Sequence, residues 1–161
     1  GCIIINGQVY SGASFSAGSF GGIVIHPEVK NGTDTLEGCY ERCASTTALV
    51  KRAKAVDETL DNGRKIFDAM ERPEIKAVID DWIGDICTGL VTLTSVFNPS
   101  RIILGGGVMA QSYVLAQIKS RVKAQLSPGL SHVEIVPAKL GNTAGLMGAV
   151  SLAEKLLDKE K

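Results

Sequence analysis

The sequence predicts an α/β domain, and three observations carry that reading. Short apolar runs bounded by Gly, Asn or Pro mark strands at residues 2–5, 8–10, 23–25, 101–104 and 133–136. Residues 75–97 carry apolar side chains at steps of three and four, which is the pattern of a long helix with one broad apolar face. Further stretches of helical spacing separate and follow the last two strands, so strand and helix alternate in the second half of the chain.

Each element follows from local signals. Cys2 to Ile5 reads as a buried strand, and Asn6-Gly7 is the favoured pair for a two-residue type I′ turn. Gln8-Val9-Tyr10 is then the returning strand. Ser11 to Gly22 is rich in small residues and reads as a loop whose backbone can approach another group closely. Ile23-Val24-Ile25 is a third strand, stopped by Pro27. Residues 30–38 are polar and loop-like. Helical spacing starts near Ala44 and continues through Leu49, Val50 and Ala53, with a break at Asp61-Asn62-Gly63 and a short helix from Arg64 to Met70. The long helix runs through Ile75, Val78, Ile79, Trp82, Ile83, Ile86, Leu90, Leu93 and Phe97, and Asn98-Pro99 ends it. Arg101 to Leu104 has the continuous apolar character of a strand in the buried centre of a sheet. A helix from Ser112 to Leu126 turns Leu115, Ile118 and Val122 inward, and Pro128-Gly129 breaks it. After the strand Val133 to Val136, Gly141-Asn142-Thr143 opens a last helix through Ala144, Met147, Val150 and Leu157, with Asn142 or Thr143 as N-cap. The whole order is a three-stranded meander followed by αβαβα. That is the ribonuclease-H-like order, on which half of an actin-like kinase is built.

Composition narrows the function. The chain has 161 residues, enough for one compact domain or a large half of a two-lobed protein. Apolar residues make up 45%, and 17 basic residues balance 17 acidic ones. Without a basic stripe, nucleic acid is not an expected partner. No apolar run reaches the roughly 18 residues of a membrane span, and no signal peptide is expected. The four cysteines, Cys2, Cys39, Cys43 and Cys87, form no CxxC pair and read as reduced thiols of a cytoplasmic protein. Gly1 runs straight into Cys2-Ile3-Ile4-Ile5, as in a piece excised from a longer chain.

Two segments carry the chemistry. In Ile102-Ile103-Leu104-Gly105-Gly106-Gly107, a strand delivers three glycines at its carboxyl end, where ligands of α/β sheets bind. No GK[ST] follows, so this is not a P-loop, and Ala110 stands where a dinucleotide fingerprint needs its last glycine. A tight strand-to-helix turn explains the run equally well. In Gly141-Asn142-Thr143-Ala144-Gly145-Leu146-Met147-Gly148-Ala149, one helix face carries almost no side chain. That suits close packing against a neighbour, or the second wall of a nucleotide cleft. His132 before a strand, Trp82 in the apolar stripe, and the Lys and Glu of the C-terminal tail read as structural or solvated.

These segments resemble a known family. Asn98-Pro99-Ser100-Arg101-Ile102-Ile103-Leu104-Gly105-Gly106-Gly107-Val108 looks like the adenosine-side motif of the ROK family of repressors and sugar kinases, and Gly141 to Ala149 looks like its closing motif. Ser11 to Gly22 resembles its sugar-proximal loop, and Gly38-Cys39-Tyr40-Glu41 its glycine-cysteine-x-glutamate segment. The likeness spans essentially the whole chain, in family order. Ile86-Cys87-Thr88-Gly89-Leu90 is similar to members without zinc, such as β-glucoside kinases and fructokinase-like proteins.

The resemblance implies the C-terminal domain, residues 1–161, of a two-domain ATP-dependent hexose or glucoside kinase that uses Mg²⁺. It implies nucleotide contacts from Gly1, Gly105, Gly106, Gly107, Gly141, Asn142, Ala144 and Gly145, with Gly1 as the last glycine of a second phosphate loop. It places Glu41, Ser19 and Gly22 at the sugar. It also implies that the catalytic Asp and first phosphate loop lie in a missing N-terminal domain, so no catalytic residue is assigned. The departures are Ser19 and Gly22, where the family usually has Glu and His, and the reduction of its cysteine-rich zinc motif to Cys39. His26 and Cys43 lie near, but Cys39-x3-Cys43 is not a zinc spacing, so no zinc is expected. A homodimer is expected. Two rivals remain: a sugar-sensing repressor or binding module, favoured by Ser19, and a structural dimerisation domain using the helices after residue 43.

Overall fold

The computed structural model describes residues 1–29 and 34–159 of the chain. The polar loop expected over 30–38 therefore lies partly outside the described residues, as do Glu160 and Lys161 of the tail. The first strands are shorter than the sequence suggests. β1 (Ile4–Ile5) and β2 (Gln8–Val9) form an antiparallel ribbon. Asn6 and Gly7 turn it with φ of 53° and 76°, both in the left-handed region that a type I′ turn demands. The expected burial of this ribbon is not found: Ile4 is 61% and Val9 65% exposed. A two-stranded ribbon of this length has two faces and nothing in the described chain to cover them.

The expected third strand is also corrected. Ile23 to Ile25 does not continue a meander from β2. It folds forward onto the residues ahead of the first helix, through one antiparallel bridge between Val24 and Cys39. Ile25 donates its N–H to Gly38 O at 2.9 Å, and Tyr40 donates to Ile23 O at 2.7 Å. Gly38 makes this possible. Its φ is +73°, and a Cβ there would lie 2.1 Å from His26 O.

The core is helical. α1 (Tyr40–Ala44) and α2 (Thr46–Val56) meet at Ser45, whose hydroxyl caps α2 by accepting from Ala48 N at 3.2 Å. α3 (Gly63–Asp68) is capped in the same way by Asn62. α4 (Pro73–Phe97) spans 25 residues, with proline in its first turn and Asn98 left-handed just past its end. Its inner face buries Ile75, Ile79, Trp82, Ile83, Ile86 and Leu90 against Leu49 and Ala53 of α2 and Ile66 of α3. α5 (Ser112–Gln125) adds Val114, Ile118 and Val122. Leu115 is only partly buried, so the apolar face is rotated by one residue from the expected one. The Trp82 indole N–H reaches Ala44 O and Ser45 O at 3.0 Å each, which satisfies its one polar atom inside the core.

β3 (Arg101–Leu104) and β4 (Glu134–Pro137) pair in parallel, from Arg101 opposite Glu134 to Leu104 opposite Pro137. Ile102, Leu104 and Ile135 face the core, while Ile103 is 61% exposed. β3 is therefore not the buried centre of a sheet here. The sheet has one covered face and one open face. α6 (Ala144–Lys159) shows the same departure. Met147, Val150 and Leu157, the apolar positions named for this helix, are exposed, and Leu146 and Leu152 are 68% and 65% exposed. The helix packs chiefly on the 3-10 turn that precedes it.

These contacts set stability. Trp82→Ala should cost about 3–5 kcal/mol in chemical denaturation, the usual range for a buried aromatic. Gly89→Ala should cost about 1–3 kcal/mol, because its Cβ would sit 2.4 Å from the Tyr40 ring. Gly84→Ala, on the same helix with nothing within 4 Å, should instead stabilise by up to about 1 kcal/mol. Equal effects at the two glycines would contradict the packing described. A further expectation concerns acid. Hydrogen bonds from Arg72 and Thr59 hold the Asp57 carboxyl down at about 2, from an ordinary 3.8. A depressed carboxyl stabilises above its unfolded value and loses that contribution as pH falls through its folded value. Asp57→Asn should therefore be less stable than wild type at pH 7, and the difference should shrink as pH falls below about 4 and vanish below about 2. A difference that persists at the acid end would argue against this ion pair.

Candidate functional site

Parallel pairing of β3 and β4 brings their carboxyl ends side by side. Ala138 N donates to Leu104 O at 2.9 Å just beyond the paired residues. From that edge β3 feeds Gly105, Gly106 and Gly107, and β4 feeds Gly141 through a short connection. Gly107–Ala110 and Gly141–Thr143 are each a 3-10 turn, and the second leads directly into α6. Asn142 lies within that second turn, and Ala144 and Gly145 are the first residues of α6. Gly106 has φ +111°, a backbone state that side chains rarely adopt. All of Gly105, Gly106, Gly107, Gly141, Ala144 and Gly145 are exposed. A Cβ on Gly106, Gly107, Gly141 or Gly145 would meet nothing within 4 Å, and one on Gly105 would meet only the Ala138 Cβ at 3.9 Å. These glycines are therefore not spacers for close helix packing among the described residues. They form an open, side-chain-poor edge.

The second group gathers around the loop before α1. The turn Phe20–Gly22 packs against α1, and the Glu41 carboxylate lies over Gly21, whose Cβ would be 2.7 Å from Glu41 Oε2. Glu41, Ser19 and Gly22 are all exposed in this corner. Ser19 turns its hydroxyl back to Ser16 O at 2.8 Å, and the space beside Gly22 is open. Gly1 belongs to this corner by its contacts: a Cβ on it would touch the Phe20 ring at 2.7 Å and Gly18 O at 3.2 Å. Phe20 in turn meets Phe97, at the end of α4, edge-on with centroids 6.0 Å apart.

A third cluster joins His26 and Cys43, set aside as zinc ligands on their sequence spacing, to side chains that the sequence did not single out. His26, just after Ile25, places Nδ1 2.8 Å from Glu28 Oε1 and Nε2 2.6 Å from Asp85 Oδ1 on α4. Arg52 of α2 binds Asp85 Oδ2 and also donates to Cys43 O at 3.0 Å. Cys43 is buried beside them. Hydrogen bonds that the ring donates to Asp85, the larger effect, and to Glu28 raise His26 above its ordinary range, and burial pushes the Cys43 thiol up. His26, Cys43, Arg52 and Asp85 line a groove of about 550 Å³ together with Asp80, Asp81 and Arg121. The available signal was Asp85 itself, a carboxylate between Ile83 and Ile86 on an otherwise apolar stretch. Such a residue is buried only with partners. A second groove, about 420 Å³, runs between α5 and β4 and contains none of the residues named for nucleotide or sugar.

No described helix is long and apolar enough to cross a membrane. A sequence profile of the ROK family matches residues 1–156. The chain is 33% identical over 158 residues to a β-glucoside kinase of Listeria monocytogenes, covering 93% of this chain and 51% of the relative. It is 29% identical over 151 residues to an N-acetylmannosamine kinase of Vibrio cholerae, covering 92% and 52%. A ROK family glucokinase from Streptomyces griseus, solved with glucose and AMPPNP, superimposes with a TM-score of 0.79 at 31% identity, covering 96% of this chain and 56% of that one. The chain thus spans about half the length of the relatives it matches. Its neighbours share the actin-like ATPase fold, and with the profile extending over nearly every residue, the chain belongs to the ROK family.

Proposed function

We propose that this chain is the nucleotide-binding half, with part of the sugar edge, of an ATP-dependent hexose or glucoside kinase. The observation that carries the reading is the glycine edge. Two glycine segments follow neighbouring parallel strands and leave an open backbone surface, against which a flat purine can lie without meeting a Cβ. The relatives supply the reaction class, because those named are sugar kinases.

Within this reading, Gly105 to Gly107 and Gly141 to Gly145 hold the adenosine, with Asn142 and Ala144 in the second wall and Gly1 nearer the phosphates. Glu41 accepts hydrogen bonds from sugar hydroxyls beside Ser19 and Gly22. The base that deprotonates the attacking hydroxyl belongs to the half of the family fold that precedes Gly1. Mg²⁺ would accompany ATP, but residues 105–110 and 138–149 contain no carboxylate. They do not fit a magnesium site. This half therefore contributes shape and backbone hydrogen bonds. The intact protein is cytoplasmic and homodimeric in this reading. A second reading is a sugar sensor that binds without phosphorylating. Ser19 favours it, since the family usually places a carboxylate there.

Two substitutions in the intact protein separate nucleotide from sugar. Gly145→Val adds a side chain in open space on a helix, whereas any side chain at Gly106 would be strained by its φ of +111°. Gly145→Val should raise KM for ATP by about tenfold or more, the cost of a misfitted contact of about 1.4 kcal/mol, and leave KM for sugar unchanged. Glu41→Gln should do the reverse, lowering kcat/KM for sugar by roughly 10- to 100-fold, as expected for a lost charged hydrogen bond. Unchanged nucleotide kinetics in Gly145→Val would reject the glycine edge as the adenosine site. Sugar binding by the intact protein without phosphorylation would favour the sensor.

The 161-residue chain by itself should release no ADP in response to any hexose or glucoside. Robust sugar-dependent ADP release by it would place the base within this chain and overturn the division proposed.

A further inference from the structure

Away from the glycine edge and the loop–α1 corner, three different donor types converge on one point. His26, Cys43 and Asp85 each offer one ligand atom, and the three atoms lie within 4.8 Å of one another. They come from three separate pieces of chain: the turn after Ile25, α1, and the middle of α4. We propose that His26 Nε2, Cys43 Sγ and Asp85 Oδ1 form a binding site for a divalent transition metal of the zinc class.

The donor set decides the class of metal. Calcium and magnesium take oxygen ligands only, whereas an imidazole, a thiolate and a carboxylate together suit zinc and its neighbours. The surroundings orient each ligand. Glu28 Oε1 sits 2.8 Å from His26 Nδ1, and so aims Nε2 at the cluster. A carboxylate on the far nitrogen is the usual support of a metal-binding histidine. Arg52 takes Asp85 Oδ2 and leaves Oδ1 turned toward His26, and the same guanidinium holds Cys43 O at 3.0 Å. Cys43 and Asp85 are buried, while the His26 side chain is 38% exposed and can adjust.

The geometry needs a small opening. In a tetrahedral zinc site, ligand bonds of about 2.0–2.2 Å set the nitrogen and oxygen about 3.3 Å apart. His26 Nε2 and Asp85 Oδ1 are now 2.6 Å apart, sharing a proton, so the metal takes the place of that proton and the pair spreads by a fraction of an ångström. The Cys43 thiol proton is released as the sulfur binds. Thiolate and carboxylate then neutralise the two charges of the ion. Three protein ligands leave a fourth position, open to the groove of about 550 Å³ where a water can complete the shell.

This site is separate from the cysteine-rich zinc motif of the ROK family. That motif places a histidine where Gly22 stands here, and of its cysteines only Cys39 remains. The spacing from Cys39 to Cys43 argued against zinc because it considered neighbours in sequence. Asp85, 42 positions beyond Cys43, is visible only in the fold.

The test is a Co²⁺ titration of the metal-free protein, followed by displacement with Zn²⁺. One equivalent of Co²⁺ should develop the visible bands of a four-coordinate site together with a thiolate-to-metal charge-transfer band, and Zn²⁺ should abolish both. Cys43→Ser should remove the charge-transfer band and weaken Zn²⁺ binding by about tenfold or more. His26→Gln, at a partly exposed position, should weaken binding to a similar extent with the fold intact by circular dichroism. Cys2→Ser, at the exposed cysteine, should change neither. Absence of a charge-transfer band at one equivalent in the wild type overturns the proposal. So does a band that survives in Cys43→Ser or disappears in Cys2→Ser.

Discussion

The structure depends first on burying one face of α4. Its 25 residues run the length of the core, and α1, α2 and α5 each pack along it. Trp82 is the hinge of that arrangement. Its ring fills the centre of the core while its N–H ties α4 to the carbonyls at the α1–α2 junction. That one bond pair fixes where α1 lies, and α1 carries both Glu41 and Cys43. The candidate sugar corner and the candidate metal site are thereby positioned by the same side chain.

Charge then locks what burial has placed. Asp80 of α4 receives Lys76, the Tyr113 hydroxyl and Arg121, which joins α4 to α5. Desolvation pushes the Asp80 carboxyl up, and the Lys76 and Tyr113 hydrogen bonds more than offset it. Asp85, one turn further along, plays the matching role toward α2 and the His26 turn. Two carboxylates on one helix thus orient α5 on the one hand and α2 with the His26 turn on the other. Each is partnered, as a carboxylate this far from water must be.

The fold was legible in the sequence wherever the periodicity is long. The 3.6-residue pattern of α4 gave its length and inner face almost residue by residue. Asn6-Gly7 gave the turn, because only left-handed pairs close a two-residue hairpin. The glycine runs were legible as the ends of β3 and β4, since an apolar tetrapeptide before them can hardly be anything else. Three things failed for physical reasons. Ile23 to Ile25 pairs with whichever edge Gly38 presents, and sequence alone does not choose between β2 and a later segment. The apolar character of β1, β3 and α6 says that these residues prefer to be covered, not that this stretch of chain covers them. The cluster at Asp85 was hidden because its members are spread from residue 26 to residue 85, and only the fold brings them together.

The bare flank of α6 has a thermodynamic consequence. A 16-residue helix in water is marginal by itself, and α6 also contains Gly145 and Gly148. Its exposed leucines contribute nothing until some other surface removes them from water. Any surface that covers them would steady the turn at Gly141 to Thr143 as well, since turn and helix are one continuous piece of backbone. If a nucleotide lies on that turn, the two events share a free energy. Covering the helix would tighten nucleotide binding, and nucleotide binding would favour the covered arrangement by the same factor. A helix left bare on one side would in that way couple its own covering to the occupancy of the glycine edge.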